Sequence, residues 1–526
     1  MIYDLEKTLF TVSDQIEDTV NDKIYKFEAP WKIRNAFEGV QIFGGIGSGK
    51  TSGSGRYLAL KYLTNDFGGL VLTVKSDEVK HWKELCALAG RSDDLIIVSP
   101  KGDQRFNFIE YESSGNDGKS STENLVQVLK TVISANEEQN SGKSDDSFWQ
   151  NSLDLLLFNT IDLVKLAYDE VTLDKLYEIV GSIPKPEDAS LTKNVIDEKD
   201  SKSDSHKTHT KSAFFIALEK VEEKLRVRKK TWVDNLSEDE YEYLNVSGTL
   251  DDQFIWRDET ARLFNRVCQF FFDNYIPLSD KTRSIVDFIC ISFFYKLLRE
   301  PIYSTFCSGK STFTPESCLD GKIIILDFPV KLYYSVGRSC QILFKYIWQR
   351  AMERRDISVN GRPCFLWADE SQNFIHSYDS DYQATTRSCR VSTVYLTQNL
   401  ANYYANMSSN RAEHRVKAFL GTLNTKIFHS NADIDTNKYA SQLIGEWKVT
   451  KFNQSEGKSV DGINLNISAE EVYEPRYRPE YFSRLSTGGE SNNLFCEAVL
   501  HFQGIQLSAE FNSAKMAFNQ NFKPTK

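Results

Sequence analysis

The sequence predicts an α/β protein: a core with a mainly parallel sheet, interrupted by an all-helical insertion. Three observations carry that reading. Gly44-Gly45-Ile46-Gly47-Ser48-Gly49-Lys50-Thr51 spells G-x-x-x-x-G-K-[ST] between an apolar run at 40–43 and a helix-like stretch at 56–63. Strand-length apolar runs alternate with helical segments at both ends of the chain, the pattern of a parallel sheet. The middle third lacks such strands and consists of Leu- and Phe-rich helical runs broken by polar stretches.

Taken in order, residues 1–35 form a charged, amphipathic lead-in with no assignment. The Walker A loop and its helix follow. A second strand at 69–74 ends in Lys75-Ser76-Asp77-Glu78, and a helix at 79–88 leads to a third strand at 95–98. Residues 1–112 are thus the lead-in and first part of the core. From about 113 the character changes, and 113–320 reads as the helical insertion, with polar stretches at 113–122, 136–146 and 197–211. The piece at 199–211, rich in Lys, Asp, Ser and His, reads as a solvated loop. At Gly321 the α/β pattern resumes. Residues 321–450 supply a strand at 323–326 with the acidic end Asp327, a helix at 335–354, and strands at 364–368 and 392–397. Segments 425–429 and 494–502 complete or flank the sheet. Residues 451–526 read as a C-terminal extension of unassigned role.

Composition narrows the function classes. The 526 residues carry 40% hydrophobic and 26% charged residues, ordinary for a globular chain long enough for two to four domains. No stretch approaches the ~20 apolar residues of a membrane span, and the N-terminus lacks a secretory pattern. The nine cysteines have no C-x-x-C spacing, so they read as reduced thiols in a cytoplasmic protein. A net charge of −10 does not advertise nucleic-acid binding in bulk, although basic residues can gather on pore-facing loops of an acidic ring.

The loop chemistry points to a nucleoside triphosphate. Gly44, Gly45, Gly47 and Gly49 let backbone N–H groups converge on phosphate oxygens, with Ser48 and Ser52 beside them. Lys50 is expected to reach the β/γ-phosphates and Thr51 to ligate Mg2+, with the following helix offering its positive end. Such a loop needs a carboxylate at a neighbouring strand end for the metal and a second acid for the attacking water. Phe365-Leu366-Trp367-Ala368 followed by Asp369-Glu370 offers both, Asp369 for Mg2+ and Glu370 as general base. Asp327 has the apolar run but no second carboxylate and reads as a strand-end turn residue. Gln398, at the end of the 392–397 strand, is placed to touch a γ-phosphate, while Thr397 or Asn399 there can equally serve as a helix N-cap.

In order and spacing these segments resemble the TraG/TraD group of type IV secretion coupling proteins, in the HerA–FtsK branch of RecA-like motor ATPases. The Walker A loop, the 73–78 strand end, Val98-Ser99-Pro100 with Arg105-Phe106-Asn107-Phe108, Phe148-Trp149, Asp369-Glu370, and Arg387 with Gln398 before Tyr403-Tyr404 each look like a family segment. So do Asn424-Thr425-Lys426-Ile427 and Leu443-Ile444-Gly445. At the 73–78 strand end Thr73 stands for the family's acid and Ser76 for its glycine. The resemblance runs from about 38 to 446, with 180–255 unmatched.

The resemblance implies a RecA-like P-loop ATPase and a ring, expected to be a hexamer, with ATP and Mg2+ at subunit interfaces. A neighbouring arginine would act in trans; Arg387, Arg411 and Arg415 are candidates, Arg387 first. It implies a DNA translocase gripping phosphates without sequence preference. Family members usually carry N-terminal membrane helices. Their absence here implies a cytoplasmic protein with no direct membrane insertion, recruited to the membrane's inner face by a separate anchor, or by a secretion or relaxase-type partner. The alternative is an ATP-dependent assembly or switch subunit, including one of an antiphage or mobile-element system, that moves no DNA. A motor acting on protein substrates is a third reading.

Overall fold

The computed structural model describes residues 3–18, 23–113, 122–140, 147–185, 212–407, 412–459, 462–507 and 511–524. The chain divides into two compact units: residues 1–102, 135–142 and 315–526, and residues 103–134 and 143–314.

The first unit opens on a hairpin, β1 (Thr8–Asp18) and β2 (Lys23–Lys32), where the sequence offered no assignment. Its Leu9, Phe10, Val12 and Trp31 are buried in the unit's hydrophobic core. The Trp31 indole donates to Thr425 Oγ1 at 3.2 Å, which fixes the hairpin to the sheet. The sheet itself contains β3 (Val40–Phe43), β4 (Gly68–Leu72), β5 (Leu95–Val98), β6 (Ile323–Leu326), β7 (Cys364–Ala368), β8 (Val391–Thr397) and β9 (Thr425–His429). A second hairpin, β10 (Glu446–Ser459) and β11 (Gly462–Pro475), stands apart from it, and β12 (Phe495–Phe502) and β13 (Ser513–Asn519) return to it.

The nine strands run in the order β13-β12-β9-β3-β8-β7-β4-β6-β5. From β9 to β5 neighbours are parallel, while β12 is antiparallel to both β9 and β13. Parallel strands covered on both faces read as continuous apolar runs rather than alternating ones. Ile323-Ile324-Ile325-Leu326 is such a run, with every residue buried. Gln41 is a polar exception in β3: it is fully buried and accepts the Tyr403 hydroxyl at 2.8 Å, and that hydroxyl also meets Ser371 Oγ at 2.7 Å. This chain of bonds ties β3 to the turn after β7.

Two boundaries differ from the sequence reading. The core does not stop near 450, because β12 and β13 complete the sheet; only the β10–β11 hairpin stands outside it. The helical unit begins at 103 rather than 113, since Phe106 N bonds Thr305 O (2.8 Å) and Arg105 N bonds Thr312 Oγ1 (2.9 Å). Its helices include Ser147–Tyr168, Leu173–Gly181, Ala213–Asp234, Glu259–Gln269 and Asp280–Leu297. The caps Thr172, Ser212, Asp258 and Ser279 each accept a backbone N–H, which satisfies a donor that the first helical turn leaves open. The polar piece at 197–211 lies wholly outside the described residues.

Candidate functional site

The Walker A loop joins β3 to the helix Arg56–Thr64 through one π-helical turn, Thr51–Gly55. Gly44 N donates to Thr397 O (3.3 Å) and Gly45 N to Ser430 O (2.9 Å), so the loop is anchored on the segments following β8 and β9. Gly49 has φ +86°, and a Cβ there would fall 2.6 Å from Cys496 Sγ on β12. Both facts demand glycine. Ser48 is buried and its hydroxyl has no partner among the described residues.

β8 lies between β3 and β7, so the ends of three adjacent strands face the loop. Thr51 Oγ1 donates to Asp369 Oδ2 at 2.7 Å, and Lys50 Nζ stands 3.4 Å from Glu370 Oε1. Gln398 Nε2 donates to the same Oε1 at 3.2 Å, and Gln372 Nε2 to Oε2 at 2.9 Å. Glu370 sits in the left-handed region, φ 48°, at the sharp turn that ends β7. Asp369 Oδ1 accepts the Glu370 N–H at 2.8 Å, and Asn373 Nδ2 donates to Glu370 O at 2.8 Å, which pins that turn. Burial pushes the Glu370 carboxyl up, but the Lys50 charge and the hydrogen bonds from Gln372, Gln398 and Lys50 outweigh it. The group is held below the usual glutamate range and is ionised at neutral pH.

Lys50, Thr51, Asp369, Glu370 and Gln398 all line one cleft of about 1240 Å³, together with Gly45, Gly47, Ser48, Gly49 and Ser52. Gly44 supports the loop from beneath: a Cβ on it would meet Ser48 Oγ at 2.3 Å. Asp327 ends β6, two strands beyond β7, and does not line the cleft. Arg387 is exposed and precedes β8, whereas Gln398 follows it. Seven strand residues separate them, roughly 20 Å. Arg387 is therefore remote from its own chain's cleft. Arg415 is exposed on the helix Ala412–Gly421, and Arg411 lies outside the described residues.

Three groups in the cleft escaped the sequence reading of the site. Glu78 is buried, accepting Val74 N (3.0 Å) and Lys75 N (3.2 Å), and its carboxyl is pushed up to about 8 by burial and by the nearby Asp369 charge. Its place at the end of the 73–78 segment was the available signal. Lys331 and Tyr334 line the cleft from the start of the helix Val330–Arg354, and Tyr334 holds φ 50°, ψ −134°. Thr487, Gly488, Gly489 and Gln520 enter from the β12–β13 edge. Only the Gly-Gly pair marked them in sequence.

The donor set fits a magnesium-bound nucleoside triphosphate. A cation at the loop, a hydroxyl bonded to a carboxylate, and an orphaned buried hydroxyl in the glycine loop match hard-cation and phosphate chemistry. Among the described residues no group of three or more His, Cys, Asp or Glu could hold a metal alone.

Residues 363–478 match the family described as the TraM recognition site of TraD and TraG. Among solved structures, the bacterial conjugative coupling protein TrwBdeltaN70, unbound monoclinic form, aligns with a TM-score of 0.57 at 14% identity, covering 94% of this chain and 88% of that one. The plasmid coupling protein TrwB in complex with ADP and Mg2+ gives a TM-score of 0.57 at 14% identity, with the same 94% and 88% coverage. TrwB with the non-hydrolysable GTP analogue GDPNP gives 0.56 at 14% identity, again over 94% and 88%. No curated protein matches the chain in sequence. The chain is TraG/TraD-like over 363–478 and has the P-loop fold of the coupling proteins, a mostly parallel sheet with a helical unit.

Proposed function

We propose that this TraG/TraD-like chain is an ATP-hydrolysing, ring-forming DNA translocase of the conjugative or type IV secretion kind. The observation that carries the proposal is the meeting of Lys50, Thr51, Asp369, Glu370 and Gln398 in one cleft, from three strands far apart in sequence. The complexes of TrwB with ADP and Mg2+ and with non-hydrolysable analogues support the same cofactors here.

In this reading Gly44, Gly45, Gly47, Ser48, Gly49 and Ser52 cradle the phosphates while Lys50 moves from Glu370 to the β/γ oxygens. Thr51 and Asp369 would hold Mg2+, which would supply charge neutralisation to the phosphates. Glu370, ionised and fixed by Gln372, accepts a proton from the attacking water. Gln398 donates to this base and lines the cleft beside it, so it would sense whether the terminal phosphate is present. Arg387, remote from its own cleft, serves a neighbour's nucleotide within a hexamer. The 363–478 match supports a TraM-like protein partner. Among the described residues no helix is long and apolar enough to cross a membrane. In this reading the motor works in the cytoplasm and is recruited to the inner face of the membrane by a partner protein.

The test is steady-state ATPase with and without double-stranded DNA across a salt series, with particle images of the ATP-bound protein. Stimulation by DNA that fades with salt, together with closed rings, is expected. Turnover indifferent to DNA in an assembled protein would refute translocation and favour the switch alternative.

A further inference from the structure

We infer that the turn at residues 487–489, with Gln520, seats the nucleoside half of the nucleotide without reading the edge of its base. The inference rests on the nucleotide reading of the cleft and adds to it which part of the ligand lies where. The phosphate loop follows β3, and the acids and Gln398 follow β7 and β8 on one side of it. The terminal phosphate must face those groups to react. The ribose and base are then left to the opposite side, where the strands are β9, β12 and β13. From the β12–β13 edge the cleft is lined by Thr487, Gly488, Gly489 and Gln520.

This lining is built rather than incidental. Gln520 Nε2 donates to Ser52 Oγ at 2.7 Å, and Gly489 N donates to Gln520 Oε1 at 2.8 Å. One amide thus spans from the phosphate loop to the turn. Ser52 follows the metal-side Thr51, so the amide meets the loop away from the Lys50–Glu370 pair. Thr487 pairs with Cys496 in a β-bridge, and Cys496 packs on Gly49, fixing the turn to the loop from a second direction. Asn492 Nδ2 donates to Gly488 O at 2.9 Å. Gly488 has φ +83°, and a Cβ on it would lie 2.6 Å from Gln520 Oε1, so the turn presents backbone beside the amide. No charged side chain stands among the four residues. The amide donates to Ser52 and accepts from Gly489, engaging both its ends inside the protein. What is left for the ligand is shape and peptide surface, which suit a ribose and either purine.

Titration calorimetry with Mg2+ and three probes decides this: ADP, GDP and inorganic tripolyphosphate. Wild type should bind ADP and GDP within about threefold of each other. Gln520→Ala should weaken both diphosphates about tenfold, because the turn loses the two internal hydrogen bonds that hold it in shape, and leave tripolyphosphate within twofold. Thr487→Trp, at an exposed position, should fill the seat and do the same without lowering the melting temperature; it decides the matter if Gln520→Ala fails to fold. Equal weakening of tripolyphosphate, or undiminished ADP binding in Thr487→Trp, would overturn the seat. A wild-type preference above tenfold for one purine would overturn the claim about the base edge. Failure of wild type to bind any of the three probes would instead overturn the nucleotide reading itself.

Discussion

Replacing Glu370 by Gln separates the chemistry of the cleft from its binding. The substitution keeps the shape of the side chain: Oε1 still accepts from Gln398, Lys50 loses its charge partner, and the amide nitrogen in place of Oε2 no longer accepts from Gln372 Nε2. That partner is close: Lys50 Nζ and Glu370 Oε1 are 3.4 Å apart, with side chains 10% and 8% exposed. At an effective dielectric constant of about 20, charges at this spacing attract by about 5 kcal/mol before desolvation is counted. Lysine must give up this attraction to engage phosphate, so its removal should leave ATP affinity unchanged or tighten it. The rate should behave oppositely. General base catalysis contributes roughly 10²- to 10⁴-fold, so single-turnover hydrolysis should slow by that factor, about 3–5 kcal/mol of barrier. The wild-type acid limb has a defined place as well. Glu370 is held below its ordinary 4.5, so it keeps its charge as pH falls from 8 to 6 and should impose no rate loss over that range. Single-turnover ATPase and calorimetry on the same preparation measure both terms. A rate within tenfold of wild type, or ATP affinity lost with the rate, would refute the assignment of Glu370 as base.

Lys50→Ala should abolish measurable ATP binding by calorimetry, since it removes the cation of the phosphate loop. Lys345→Met should cost about 3–5 kcal/mol in urea unfolding, because fully buried Asp379 loses its ion pair, whereas Lys345→Met with Asp379→Leu should recover most of the loss. Lys426, buried on β9 opposite His501, is pushed down to about 8 by burial. The unfolded chain therefore holds the extra proton between about 8 and 10.5, and the contribution of Lys426 to stability rises with pH across that window. The cost is fully present below 8, so Lys426→Met should stabilise the protein at pH 7 by about 3 kcal/mol and remove that rise from the stability profile. Tyr334→Gly should raise stability by about 1 kcal/mol in urea unfolding, since glycine adopts a positive φ that costs other residues 1–3 kcal/mol.

The strands of the parallel core were legible because burial on both faces leaves an unbroken apolar signature. The Ile-rich run at 323–326 and the run at 364–368 coincide with β6 and β7, where every residue is buried. The acidic pair was legible for a related reason: an apolar strand ending in two carboxylates has few structural uses. The β1–β2 hairpin was not legible, because its charged residues mask the alternation of Leu9, Phe10, Val12 and Trp31. Nor was the part β12 and β13 play at the cleft. Their relation to the loop comes through contacts such as Cys496 against Gly49 and Gln520 against Ser52. Such contacts join residues more than 440 positions apart, and nothing local in either segment announces them.

The helix Val330–Arg354 shows how the cleft can inform the rest of its unit. Its first turn brings Lys331 and the strained Tyr334 to the cleft. One turn on, Arg338 Nε donates to Asn373 O at 2.6 Å, directly behind the turn that carries Glu370. Gln341 then bonds Thr73 N and O at 2.7 and 2.8 Å, holding the end of β4 that leads to Glu78. Lys345 bonds Phe374 O at 2.7 Å and both oxygens of Asp379. The element therefore touches the cleft mouth through its first residues and, beyond the backbone break at Tyr334, holds the segment with the buried acid and the underside of the base-bearing turn. A packed interior passes displacement on rather than absorbing it. Any shift of Glu370 as Lys50 changes partners must move Asn373, and with it Arg338 and the helix. The strain at Tyr334 marks the place where that helix can yield, and it lies at the cleft.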